Sequence, residues 1–143
     1  MESFKTSNKA WEGQPVHKFY NGNEMPLIGL GTFQSMDKDA IKKAIVDLKY
    51  RMIDTAARYG NEAQIGEGLS EIFQSGVLKR EDIFVCTKLW LADVEDVEGA
   101  CRASLKRLQL DQLDLYLVHW PTFVKKVTNE KGEEEFVQIK KTL

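Results

Sequence analysis

The run Arg51-Met-Ile-Asp-Thr-Ala-Ala-Arg-Tyr-Gly-Asn-Glu-Ala-Gln-Ile-Gly-Glu-Gly-Leu-Ser-Glu-Ile-Phe73 reads as one strand, one turn and one helix. Arg51–Asp54 is a short apolar run that closes on a carboxylate. From Asn61 onward Ile65, Leu69, Ile72 and Phe73 recur at helical spacing. Asn61 with Gln64 three residues later approximates a capping box, and Gly76 suits the helix end. The same rhythm extends in both directions. Leu27–Gly31 precedes a stripe of Ile41, Ala44, Ile45 and Leu48 that starts at Asp37. Ile83–Lys88 precedes Val94, Val97, Cys101, Leu105 and Leu108, with a start marked by Asp93 and Asp96, and Leu113–His119 is a fourth strand. One amphipathic helix between successive strands implies right-handed crossovers and a parallel sheet buried on both faces. A (β/α)8 barrel takes ~250 residues, or ~31 per unit. The 143 residues hold three complete units and a fourth strand. The expected fold is therefore α/β, a parallel TIM-barrel type present as its N-terminal half.

The flanks read differently. Residues 1–15 are polar and form an expected loose leader in which only Trp11 docks. Val16–Tyr20 alternates, and the turn signal Asn21-Gly22-Asn23-Glu24 leads into Met25–Leu30, which predicts a β-hairpin. The half barrel is assigned to residues 16–121. Residues 122–143, with Lys125-Lys126, Lys131-Gly132 and Glu133-Glu134-Glu135, read as an exposed and truncated loop segment.

Twenty Lys+Arg against 22 Asp+Glu give a net charge of −2, which argues against nucleic acid as a partner. Apolar stretches such as Met25–Leu30 and Leu115–Val118 fall far short of the ~20 residues that cross a bilayer. No apolar signal core is present near the N-terminus, so a cytoplasmic protein with no membrane partner is expected. Cys86 and Cys101 stand apart, with no C-x-x-C and no neighbouring His, so both are read as buried reduced thiols and no metal site is expected. His17, in the hairpin, reads as a surface residue.

Chemistry concentrates where a parallel barrel places its active site, at the C-terminal ends of its strands. The second strand ends in Asp54 with Tyr59 in the following turn, the third in Lys88 and the fourth in His119. Phe84, Cys86 and Lys88 share one parity, as do Leu115, Leu117 and His119, which points both polar groups toward the barrel interior. Strands ~4.8 Å apart bring these ends within hydrogen-bond reach. A phenol is a poor proton donor at neutral pH unless its anion is stabilised, and an ammonium beside it does that. Lys88 would serve Tyr59, Asp54 would keep Lys88 charged, and His119 would orient a substrate oxygen. The cluster suits proton transfer to a carbonyl or from an alcohol. A lyase using Lys88 as a Schiff-base amine is a rival that leaves Tyr59 and His119 without roles. Gly29-Leu-Gly31-Thr-Phe-Gln34 is not a Rossmann fingerprint, because Gln34 stands where the third Gly belongs.

Four motifs in order resemble the aldo-keto reductase family: Met25-Pro-Leu-Ile-Gly-Leu-Gly-Thr-Phe33, Ile53-Asp-Thr-Ala-Ala-Arg-Tyr-Gly-Asn-Glu62, Phe84-Val-Cys-Thr-Lys-Leu-Trp90 and Leu113-Asp-Leu-Tyr-Leu-Val-His-Trp-Pro121. The resemblance implies a (β/α)8 barrel closed below by an N-terminal hairpin, reducing small aldehydes or ketones with NADPH/NADP, with NAD left open. It implies Tyr59 as general acid, Lys88 and Asp54 as its supporting pair and His119 as the orienting residue. It places Gly31, Thr32 and Asp54 at the cofactor, and Phe33, Trp90, His119 and Trp120 around the substrate. Phe33 stands where many relatives have Trp. The resemblance ends after the fourth strand, so a catalytically silent half barrel that associates through its open edges is the alternative expectation.

Overall fold

Turn chemistry starts the fold. In the computed structural model, which describes Trp11 and residues 14–35, 37–129 and 131–139, Val16–Lys18 (β1) and Glu24–Pro26 (β2) pair antiparallel. Between them Gly22 takes a left-handed φ of +89°, and the Asn21 side chain accepts from the Asn23 N–H at 3.1 Å. The expected hairpin is present.

Leu30–Gly31 (β3), Met52–Asp54 (β4), Phe84–Leu89 (β5) and Leu115–Val118 (β6) form one parallel sheet in chain order. Register sets Gly31 beside Asp54, Asp54 beside Cys86 and Lys88 beside Leu117. Lys38–Val46 (α1), Glu62–Gln74 (α2) and Val97–Leu108 (α3) make the crossovers. Consecutive parallel strands with one helix each are the building plan of a (β/α)8 barrel. The first strand is shorter than the expected Leu27–Gly31. The Leu27 N–H bonds to the Pro15 carbonyl at 2.9 Å, which draws this stretch toward the leading segment.

Strand alternation separates two cores. Ile53, Ile83 and Val85 meet Ile41, Ile45, Ile65, Leu69, Ile72 and Leu108 on the helix side. Phe84 and Cys86 face the other way, against Trp11, Val16, Met25, Met52 and Leu115. Trp11 is buried, its ring edge-on to Phe84 at 6.5 Å, so hairpin and Trp11 together close the bottom of the inner face. The inward parity expected for Phe84, Cys86 and Lys88 matches this arrangement.

Several expectations need correction. Leu48 is 64% exposed, because α1 ends at Val46 before the stripe reaches it. Val94 precedes α3, which starts after its N-cap Asp96, and Val97 in the first turn is exposed. Cys101 is only half-buried, although Cys86 is buried as expected. Asn61 stands at the N-cap of α2 without a side-chain cap bond. The region expected to be loop folds as an antiparallel ribbon of Phe123–Thr128 (β7) and Glu134–Ile139 (β8). Asn129 shapes its turn: Oδ1 accepts the N–H groups of Lys131 and Glu133, both at 3.0 Å, while Gly132 adopts φ +80°. Charge in the strands masked this ribbon in the sequence, since a two-stranded ladder is made by backbone bonds that tolerate Lys and Glu. The last strand of the sheet, β6, carries exposed Leu117 and Val118. Among the described residues no helix is long and apolar enough to cross a membrane.

Candidate active site

Four separate elements supply the cluster. Asp54 is the last residue of β4, Lys88 lies near the end of β5, and His119 directly follows β6. Tyr59 sits in a single 3-10 turn, Ala57–Tyr59, which stops at Gly60 with φ +71°. That left-handed residue turns the chain into α2 without the steric cost a side chain would bring.

The Lys88 ammonium is the hub. Its Nζ lies 2.8 Å from Asp54 Oδ1, donates to the Thr55 carbonyl at 2.8 Å and donates to Tyr59 Oη at 3.4 Å. Three donors therefore meet three acceptors. Burial works against the charge on Lys88 and is the largest single influence, but the Asp54 hydrogen bond and charge, helped by Tyr59, outweigh it and hold the amine above its ordinary pKa. Lys88 stays an ammonium. Because Tyr59 Oη accepts from it, the phenol's own proton remains to be donated elsewhere.

His119 completes the cluster from the far side. Its ring packs edge-on to Tyr59 and to Trp90, both at 5.5 Å, and stacks on Trp120 at 6.4 Å. Burial, followed by the nearby charge of Lys88, pushes its pKa below the ordinary histidine value, against the pull of Asp54. A neutral imidazole carries one N–H and one lone pair, which suits it to orienting an oxygen. Its backbone N–H is fixed to the Leu89 carbonyl at 3.2 Å.

Aromatic side chains ring these polar groups. Phe33 tilts against Tyr59 at 5.1 Å, and the Arg58 guanidinium lies 5.3 Å from the Trp90 ring centre. Phe33 and Trp120 remain exposed at the rim. Gly31 is exposed beside Asp54, whereas Thr32 is fully buried and donates its hydroxyl to the Asp54 carbonyl at 3.1 Å. Thr32 thus braces Asp54 and turns no side-chain atom toward the opening. Such an arrangement can hand a proton to a developing alkoxide beside a group of aromatic side chains.

The sequence matches the aldo/keto reductase family over residues 27–141. This chain belongs to that family. It is 43% identical over 131 residues to the NADP-dependent D-sorbitol-6-phosphate dehydrogenase of Malus domestica, covering 86% of this chain and 42% of that protein. It is 53% identical over 102 residues to the glycerol 2-dehydrogenase (NADP(+)) of Saccharomyces cerevisiae, covering 70% and 31%. The solved aldose reductase of Schistosoma japonicum superposes with a TM-score of 0.75 at 40% identity, over 88% of this chain and 45% of that one. This aldo/keto reductase chain spans about two-fifths of the length of the curated relatives it matches.

Two contributors to the site escape a reading by side-chain spacing. The Thr55 carbonyl, a backbone atom, holds Lys88 as closely as Asp54 does. Arg58 packs on the Trp90 ring, and only its place next to Tyr59 hints at this. Cys86, beside Asp54 in the register and buried in the inner core, has its thiol pushed up to about 12 by burial and then by the Asp54 charge, which makes it an inert packing group.

Proposed function

We propose that this aldo/keto reductase reduces aldehydes or ketones to alcohols with NADPH, with Tyr59 as the proton donor. The observation that carries the reading is the Lys88 ammonium held between the Asp54 carboxylate and the Tyr59 phenol oxygen. A carbonyl oxygen seated beside Tyr59 receives the phenol proton as it gains negative charge. Lys88 then faces the oxygen that has lost the proton, and Asp54 keeps Lys88 charged throughout. His119, neutral and fixed by its aromatic neighbours, offers the oxygen a hydrogen bond. Phe33, Trp90 and Trp120 shelter the carbonyl from water.

The residues present fit the reacting end of a nicotinamide. A Cβ at Gly31 would meet no atom within 4 Å, so space lies open beside the partly exposed Asp54 carboxylate, next to Gly31 in the register. Gly31 and Asp54 would hold that end, with Thr32 bracing Asp54 from behind. When bound, the cofactor supplies the hydride. NADP rather than NAD is supported by the names of the Malus and Saccharomyces relatives.

Thermal melting with and without NADPH tests the binding half of the reading. Saturation at about 100 times Kd should stabilise the fold by ~2.7 kcal/mol and raise the midpoint. An unmoved midpoint at saturating NADPH overturns it.

A further inference from the structure

Asn61 follows Tyr59 by two residues, is fully buried, and bonds three loop groups in place of the first turn of α2. Its Nδ2 donates to the carbonyls of Thr32 at 2.6 Å and Ser35 at 2.8 Å, and its Oδ1 accepts the Thr55 hydroxyl at 3.1 Å. Capping is the ordinary use of Asn at this place, and the helix forgoes it.

Each of those bonds leads back to the reacting groups. Thr55 presents its carbonyl to Lys88 at 2.8 Å, and its N–H is tied to the Cys86 carbonyl at 2.9 Å. Thr32 and Ser35 bracket Phe33, whose ring meets Tyr59. Between them Gln34 holds φ +62°, a left-handed conformation that a non-glycine residue keeps only where its surroundings enforce it. The two Nδ2 bonds span that residue, together with the Ser35 N–H to Thr32 carbonyl bond at 3.0 Å.

We infer that Asn61 is a positioning residue for the proton-transfer site: one arm, through Thr55, sets Lys88 against Tyr59, and the other, through Thr32 and Ser35, sets the Phe33 wall. The inference rests on the proposed reduction and deepens it by naming what aligns the donor and the wall.

The two arms separate in experiment. Thr55→Val keeps the side-chain shape and removes the hydroxyl that engages Asn61, so it loosens only the Lys88 arm. It should lower kcat roughly 10-fold or more while KM for the carbonyl stays within about twofold, and Thr55→Ser should restore kcat. Asn61→Ala releases both arms and should shift kcat and KM together. It also strips two buried carbonyls of their donor, so Thr55→Val, which loses one bond, is the deciding variant. A second readout needs no turnover. Competitive acetylation followed by mass spectrometry should show Lys88 of Thr55→Val reacting about threefold faster relative to the exposed Lys106, with Thr55→Ser at the parent rate. A parent without reductase activity overturns the proposed reaction, and the labelling still decides the positioning claim. A folded Thr55→Val with Lys88 labelling at the parent rate overturns the role of Asn61.

Discussion

Asp54 and Lys88 are joined at 2.8 Å, yet they are unequally exposed: 12% of the Lys88 side chain reaches solvent against 37% of Asp54. The pair is therefore asymmetric. Removing Asp54 leaves a nearly buried cation short of its counter-charge, whereas removing Lys88 leaves a carboxylate that water can reach. Asp54→Asn should destabilise the fold by about 1–2 kcal/mol, water at Asp54 having already screened part of the attraction. Lys88→Met should cost less. Urea unfolding of the two variants checks the order.

The same pair sets an alkaline limit. Lys88 is held above its ordinary pKa once folded, so its contribution to stability is fully present below the unfolded value of ~10.4 and is lost as pH rises through the folded one. Midpoints of the parent should fall more steeply above that pH than those of Lys88→Met.

His119 sets the opposite limit. Its folded pKa lies below the ordinary ~6.5, because burial and then the Lys88 charge disfavour the imidazolium. The unfolded chain therefore binds the proton first, and stability present above ~6.5 is lost as pH falls from there to the folded value. His119→Gln should flatten that acid slope in a series of melts between pH 7 and 5.

Helix packing gives a contrast between two glycines of α2. A Cβ at Gly66 would stand 2.5 Å from the Arg107 carbonyl oxygen and 2.7 Å from that of Leu108, backbone atoms of α3 that cannot swing aside. At Gly68 the nearest atom is the Lys38 carbonyl oxygen at 3.4 Å, an ordinary contact. Gly66→Ala should destabilise by about 1–3 kcal/mol. Gly68→Ala should be neutral or stabilise by up to ~1 kcal/mol through helix propensity. Thermal melts of both variants read the difference.

What the sequence reveals follows from what its patterns encode. Periodicity exposes strands and helices because β4 and α2 bury one face each, and strand ends expose Asp54, Lys88 and His119 because a parallel sheet lines such ends up. Asn61 reads as a cap, since nothing in one dimension shows that its amide reaches back 29 residues to Thr32. The β7–β8 ribbon stays hidden because its strands are charged and its ladder is backbone. Glu62 stands in the first turn of α2 with no local sign of burial, yet it is buried, accepting the Thr87 hydroxyl at 2.6 Å and the Arg107 guanidinium at 2.7 Å. Tertiary partners, which local pattern does not contain, decide all three.

The most direct test of the central claim is steady-state NADPH consumption with an aldehyde panel, comparing the parent protein with Tyr59→Phe. That change keeps the ring against Phe33 and His119 and removes only the proton to be donated. The account predicts measurable reduction by the parent and a loss of kcat of ~100-fold or more in the variant. Equal turnover by the two proteins would contradict it.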